Sequence, residues 1–91
     1  MLQQFKRYSS SGLQETFIIS ASRTPIGSFR GSLSSHSATC LGSLTAMETL
    51  KRSGLKSDCI DQVIMGNVLS ANVGQAPARQ VSLLSGLKIL V

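Results

Sequence analysis

Short apolar runs alternate with stretches of helical spacing along the chain. The first run, Thr16-Phe17-Ile18-Ile19-Ser20-Ala21, is partly β-branched and reads as a strand buried on both faces. A loop punctuated by Pro25, Gly27 and Gly31 follows it. From Ser37 the period turns helical: Leu41, Leu44 and Met47, with Ala38 and Ala46 beside them, recur at three- and four-residue spacing. Lys51 and Arg52 fall where cations suit the negative end of the helix dipole. Gly54 suits the left-handed residue beyond a helix end, with Leu55 able to make the accompanying apolar contact. These signs predict a helix over about residues 38–52.

A polar turn, Lys56-Ser57-Asp58-Cys59-Ile60-Asp61, leads to a second strand-like run, Gln62-Val63-Ile64-Met65-Gly66-Asn67-Val68-Leu69. Gly66 within it marks a bulge or a close backbone approach. Ser70-Ala71-Asn72-Val73-Gly74 reads as loop. Gln75-Ala76-Pro77-Ala78-Arg79-Gln80-Val81 then opens a second helix, with Pro77 acceptable in its first turn and Gly86 able to end it. The predicted order, strand-helix-strand-helix, suits a right-handed parallel βαβ unit. Two strands make only part of an α/β layer, because such a sheet needs further strands and cover on both faces.

Composition agrees with a core-like segment. Among the 91 residues, 42% are hydrophobic and 14% charged, which excludes a disordered tail. The net charge is +5, but the basic residues of the body are scattered and aromatic residues are few, so a nucleic-acid surface is not indicated. Residues 1–14 carry Lys6 and Arg7, several serines and no acid, the composition of a mitochondrial presequence. A flexible tail is the plainer reading, and a cytoplasmic location the alternative. Residues 15–91 form the folded part in either case. No apolar run reaches the ~18 residues that span a bilayer.

Candidate chemistry is sparse. Gly27 and Gly31 give G-x-x-x-G rather than a dinucleotide fingerprint, and no phosphate-binding P-loop is present. His36 and Cys40 stand four apart, so one helix face can present both, as an activated thiol or half a metal site. A surface histidine beside a packed cysteine is the preferred reading. Cys59 lies in a turn with no neighbouring histidine, and no disulfide framework is indicated. Arg79 and Gln80, near the start of the second helix, could hold an anion there. Bracing of the preceding loop by the Arg79 guanidinium is favoured instead.

Three blocks together resemble the thiolase family. Ile18-Ile19-Ser20-Ala21-Ser22-Arg23-Thr24-Pro25-Ile26-Gly27-Ser28-Phe29-Arg30-Gly31 is similar to the family's opening strand and loop. Val63-Ile64-Met65-Gly66-Asn67-Val68-Leu69 looks like its second strand, and Gly74-Gln75-Ala76-Pro77-Ala78-Arg79-Gln80 like the start of its second helix. The order and spacing match over residues 16–87, and Arg23 to Phe29 resembles the acetoacetyl-CoA thiolase branch.

The resemblance implies an incomplete N-terminal half of a layered α/β fold, from a family of homo-oligomers. Its activity is acetyl-CoA C-acetyltransferase, a reversible Claisen reaction between acyl-CoA thioesters. One cysteine takes the acyl group, a histidine activates it, a second cysteine handles the proton, and oxyanion holes stabilise the developing charge. The nucleophile sits in a Val-Cys-(small)-Ser-Gly context after the second helix, which these residues do not contain. No catalytic, cofactor or metal-binding residue is therefore carried over, and coenzyme A thioesters enter only as substrates of the complete enzyme. Arg23, Asn67, Gln75, Arg79 and Gln80 match the motifs and are given structural roles beneath the active site. The chain alone is expected to be inactive. A short isoform that binds full-length subunits, or a gene-model fragment, is the alternative.

Overall fold

The computed structural model describes residues 7–8 and 14–87. Two helices dominate it: α1, Ala38–Ser53, and α2, Pro77–Leu84. One antiparallel ladder joins β1, Arg7–Tyr8, to β2, Gln14–Glu15, with Arg7 opposite Glu15 and Tyr8 opposite Gln14. A single 3₁₀ turn, Ser57–Cys59, lies between the helices in sequence.

The ends of α1 follow from its sequence. Ser37 takes extended backbone (φ −73°, ψ 161°), and its hydroxyl accepts the Cys40 N–H at 3.2 Å, satisfying one orphan donor of the first turn. At the other end Gly54 adopts φ 71° and donates its N–H to the Lys51 carbonyl at 3.3 Å. Arg52 pairs with Glu48 at 2.7 Å, but both side chains are exposed, so the pair contributes little.

Helix α2 ends in a Schellman arrangement. Gly86, at φ 73°, donates to the Leu83 carbonyl at 3.2 Å, and Leu87 donates to the Ser82 carbonyl at 3.0 Å. The turn seats Leu87 among the buried residues.

The helices meet across small side chains. Thr39 and Ser43 are the buried residues of α1, and Val81 and Ser82 those of α2. At Gly42 an added Cβ would lie 3.0 Å from Val81 Cγ2 and 3.7 Å from Met65 Cε. The buried hydroxyls are satisfied locally: Ser43 Oγ donates to the Cys40 carbonyl at 2.7 Å, and Thr39 Oγ1 lies 3.1 Å from Ser37 Oγ. This differs from the face expected on α1. Leu44 and Met47 are 46% and 41% exposed, because α2 packs on the neighbouring stripe of small residues and leaves the larger one uncovered.

The strands expected at residues 16–21 and 62–69 do not form. A strand is stable only when a neighbouring backbone takes its N–H and C=O groups, and neither run meets one among the described residues. Several of their apolar side chains are left open, Ile18 at 92% exposure, Ile64 at 83% and Val68 at 95%, while Ile19, Val63 and Met65 are half-buried. The parallel βαβ pairing is corrected accordingly. Gly66 also meets nothing within 4 Å of an added Cβ, so no close approach accounts for it. Among the described residues only Val81 and Leu87 are buried hydrophobics, too small a core to hold a domain of this length.

Candidate functional site

Beside α1 runs a groove of about 320 Å³. Gly42, Thr45, Ala46 and Thr49 form its helical wall, with Val63, Ile64 and Met65 opposite. The wall is mostly apolar, with one polar cluster. Ser22 Oγ lies 2.9 Å from the Thr45 carbonyl and 2.5 Å from Thr49 Oγ1, and Thr49 Oγ1 lies 2.7 Å from that same carbonyl. Two hydroxyl protons cannot fill three contacts at once, but the Ser22 hydroxyl ties the segment after residue 21 to α1 through either of its two partners. A second groove, about 360 Å³, opens where residues 16–20 pass Thr49 and Ser53. The sequence reading missed this junction. Its signal is Thr45 and Thr49, four apart on a helix and both able to bond back to the preceding turn.

The turn before α2 is the best-defined polar feature. Gln80 Nε2 donates to the Val73 carbonyl at 2.9 Å and to the Gln75 carbonyl at 2.8 Å. The turn holds left-handed backbone at Asn72 (φ 60°), Gly74 (φ 79°) and Ala76 (φ 48°). An added Cβ at Gly74 would stand 2.9 Å from Gln80 Nε2, so the glycine and the amide fit one another. Bracing of this loop falls to Gln80 rather than to Arg79, which is exposed. Gln75 enters the same arrangement through its backbone carbonyl. Arg23 and Asn67 are also exposed, and neither lines either of these two grooves. Of the five motif residues the structure thus brings together Gln75 and Gln80, and leaves Arg23, Asn67 and Arg79 on the surface.

His36 and Cys40 do meet. Cys40 Sγ lies 3.7 Å from His36 Nδ1, with the thiol half-buried and the imidazole exposed. Cys59 Sγ instead lies 3.9 Å from Asp58 Oδ1. No third group completes a triad at His36 and Cys40, and no cluster of three or more His, Cys, Asp or Glu able to hold a metal occurs among the described residues. No helix among them is long and apolar enough to cross a membrane. The arrangement offers a shaped apolar surface, a rigid turn and one thiol–imidazole contact.

Comparison with known proteins places these features in a family. The model for "Thiolase, N-terminal domain" matches residues 16–91. A mitochondrial acetyl-CoA acetyltransferase of Xenopus tropicalis is 53% identical over 81 residues, which is 89% of this chain and 19% of that protein. A cytosolic acetyl-CoA acetyltransferase of Gibberella zeae is 52% identical over 77 residues, 85% of this chain and 19% of its own length. A probable acetyl-CoA acetyltransferase of Dictyostelium discoideum is 51% identical over 80 residues, again 19% of the relative. The chain spans about a fifth of the length of these curated relatives.

Proposed function

Since the chain belongs to the thiolase family through that family's N-terminal domain, we propose that it acts as the N-terminal segment of an acetyl-CoA acetyltransferase. The reaction is acyl transfer between acyl-CoA thioesters, and the substrates are bound by the complete enzyme. The observation that carries this reading is identity of about 50% to acetyl-CoA acetyltransferases from an amphibian, a fungus and an amoeba, over 85–89% of the chain.

The segment's own part is architectural. The Gln80-braced turn fixes the entry to α2, and the small-residue contact at Gly42 and Val81 fixes α2 against α1. Residues 16–21 and 62–69, unpaired here, become strands when the rest of the enzyme supplies neighbouring strands and a covering layer. Subunit association of the enzyme would bury further apolar surface. The acid-free residues 1–14 support a mitochondrial location, with the cytosol the alternative, and the relatives' names include both.

By itself the 91-residue segment is proposed to be inactive. Catalytic groups that act as a unit lose almost all rate when one is missing, on the order of 10⁶ in a well-studied protease. Among the described residues no third His, Cys, Asp or Glu joins His36 and Cys40. Incubated with acetoacetyl-CoA and coenzyme A, the isolated segment is expected to release no acetyl-CoA above the buffer blank. Turnover dependent on Cys40 would overturn the architectural reading.

A further inference from the structure

The two cysteines have different polar neighbours at similar exposure: an imidazole beside Cys40 and a carboxylate beside Cys59. Both are half-buried, so access does not separate them. Cys40 lies in the first turn of α1, and its sulfur is 3.7 Å from His36 Nδ1. Cys59 instead donates its thiol hydrogen to the Asp58 carboxylate, 3.9 Å from its sulfur, and has no imidazole beside it among the described residues. A nucleophilic side chain within hydrogen-bond reach of a base is the arrangement that makes a thiol reactive.

From this contrast we propose that Cys40 is a modification site for small disulfides, with His36 as its base, and that Cys59 is the slow thiol. With the ring proton on Nε2, Nδ1 accepts the Cys40 thiol proton as the sulfur attacks one sulfur of the disulfide. A new S–S bond forms, the old one breaks, and the leaving thiolate takes the proton back from His36. One disulfide is consumed and one free thiol released, so no further oxidant is needed. Nothing in the exchange draws on acyl transfer, and the pair stands outside both grooves.

The test uses the full polypeptide under native conditions with oxidised glutathione, quenched at intervals and cut with trypsin. Cleavage after Arg30, Lys51, Lys56 and Arg79 puts Cys40 in peptide 31–51 and Cys59 in peptide 57–79, so both rates come from one sample. Cys40 is expected to acquire the glutathione adduct at least about tenfold faster than Cys59, a small fraction of what a positioned base gives in an enclosed site. His36→Asn should bring the Cys40 rate down to that of Cys59 and leave Cys59 unchanged. Equal rates in the unsubstituted chain, or a Cys40 rate indifferent to His36→Asn, would overturn the assignment. Should the variant unfold, a rise in the Cys59 rate reports it, and the comparison of the two thiols in the unsubstituted chain decides alone.

Discussion

Gly42→Leu is expected to push α1 and α2 apart and to be the most damaging single change within the segment. A Cβ at this position would already stand 3.0 Å from Val81 Cγ2, and a leucine adds three more carbons in the same direction. Val81 is 3% exposed, so it can give way only toward the groove that it and Gly42 line. Overpacking of this kind costs about 1–3 kcal/mol, and here it strikes one of the few buried apolar contacts in the segment. Gly42→Ala makes the informative control. Alanine gains about 1 kcal/mol of helix propensity over glycine, which opposes the 3.0 Å contact and leaves the net change small. Urea unfolding of the full polypeptide should therefore show a lowered midpoint for Leu and a nearly unchanged one for Ala. Equal midpoints for both would mean that the α1–α2 contact does not stabilise the protein.

Gln80→Glu is expected to have the next largest effect. The amide of Gln80 donates to two carbonyls at 2.9 and 2.8 Å, and a carboxylate in its place offers acceptors to acceptors. Those bonds hold a turn with non-glycine left-handed backbone at Asn72 and Ala76, conformations that cost on the order of 1–3 kcal/mol each unless the surroundings enforce them. Losing both bonds, one of them exposed to solvent, and adding repulsion should cost about 1–2 kcal/mol. Gln80→Ala removes the bonds without the repulsion and should fall between Glu and the original residue. The direct readout is limited proteolysis at residues 70–76, where Glu should open the turn to cleavage first, then Ala. Identical cleavage in all three proteins would show that the turn is held by something other than Gln80.

Much of this was legible in the sequence wherever structure is decided locally. Ser37, Lys51, Arg52 and Gly54 bound α1 as their chemistry predicts, and Pro77 and Gly86 do the same for α2. Local signals failed where the outcome depends on a partner. The spacing of Leu41, Leu44 and Met47 marked a face that some neighbour could cover, but not whether one is present. Here α2 chose the adjacent stripe of Thr39, Gly42 and Ser43. The β-branched runs at residues 16–21 and 62–69 carry strand propensity without strand partners, so they remain unpaired. At the candidate site the motif was visible but its division of labour was not. Arg79 has the longer reach and the more donors, yet it points to the surface while the shorter Gln80 makes both bonds. The family resemblance read from the same blocks agrees with the family match over residues 16–91.

The most direct test of the central claim is to capture the native protein from its source through an antibody against residues 20–80, then measure its mass and its acetoacetyl-CoA thiolysis together. The account predicts a species several times the 9.6 kDa of this segment that cleaves acetoacetyl-CoA with coenzyme A. A stable native species of 9.6 kDa or less, without that activity and without a longer form beside it, would contradict it.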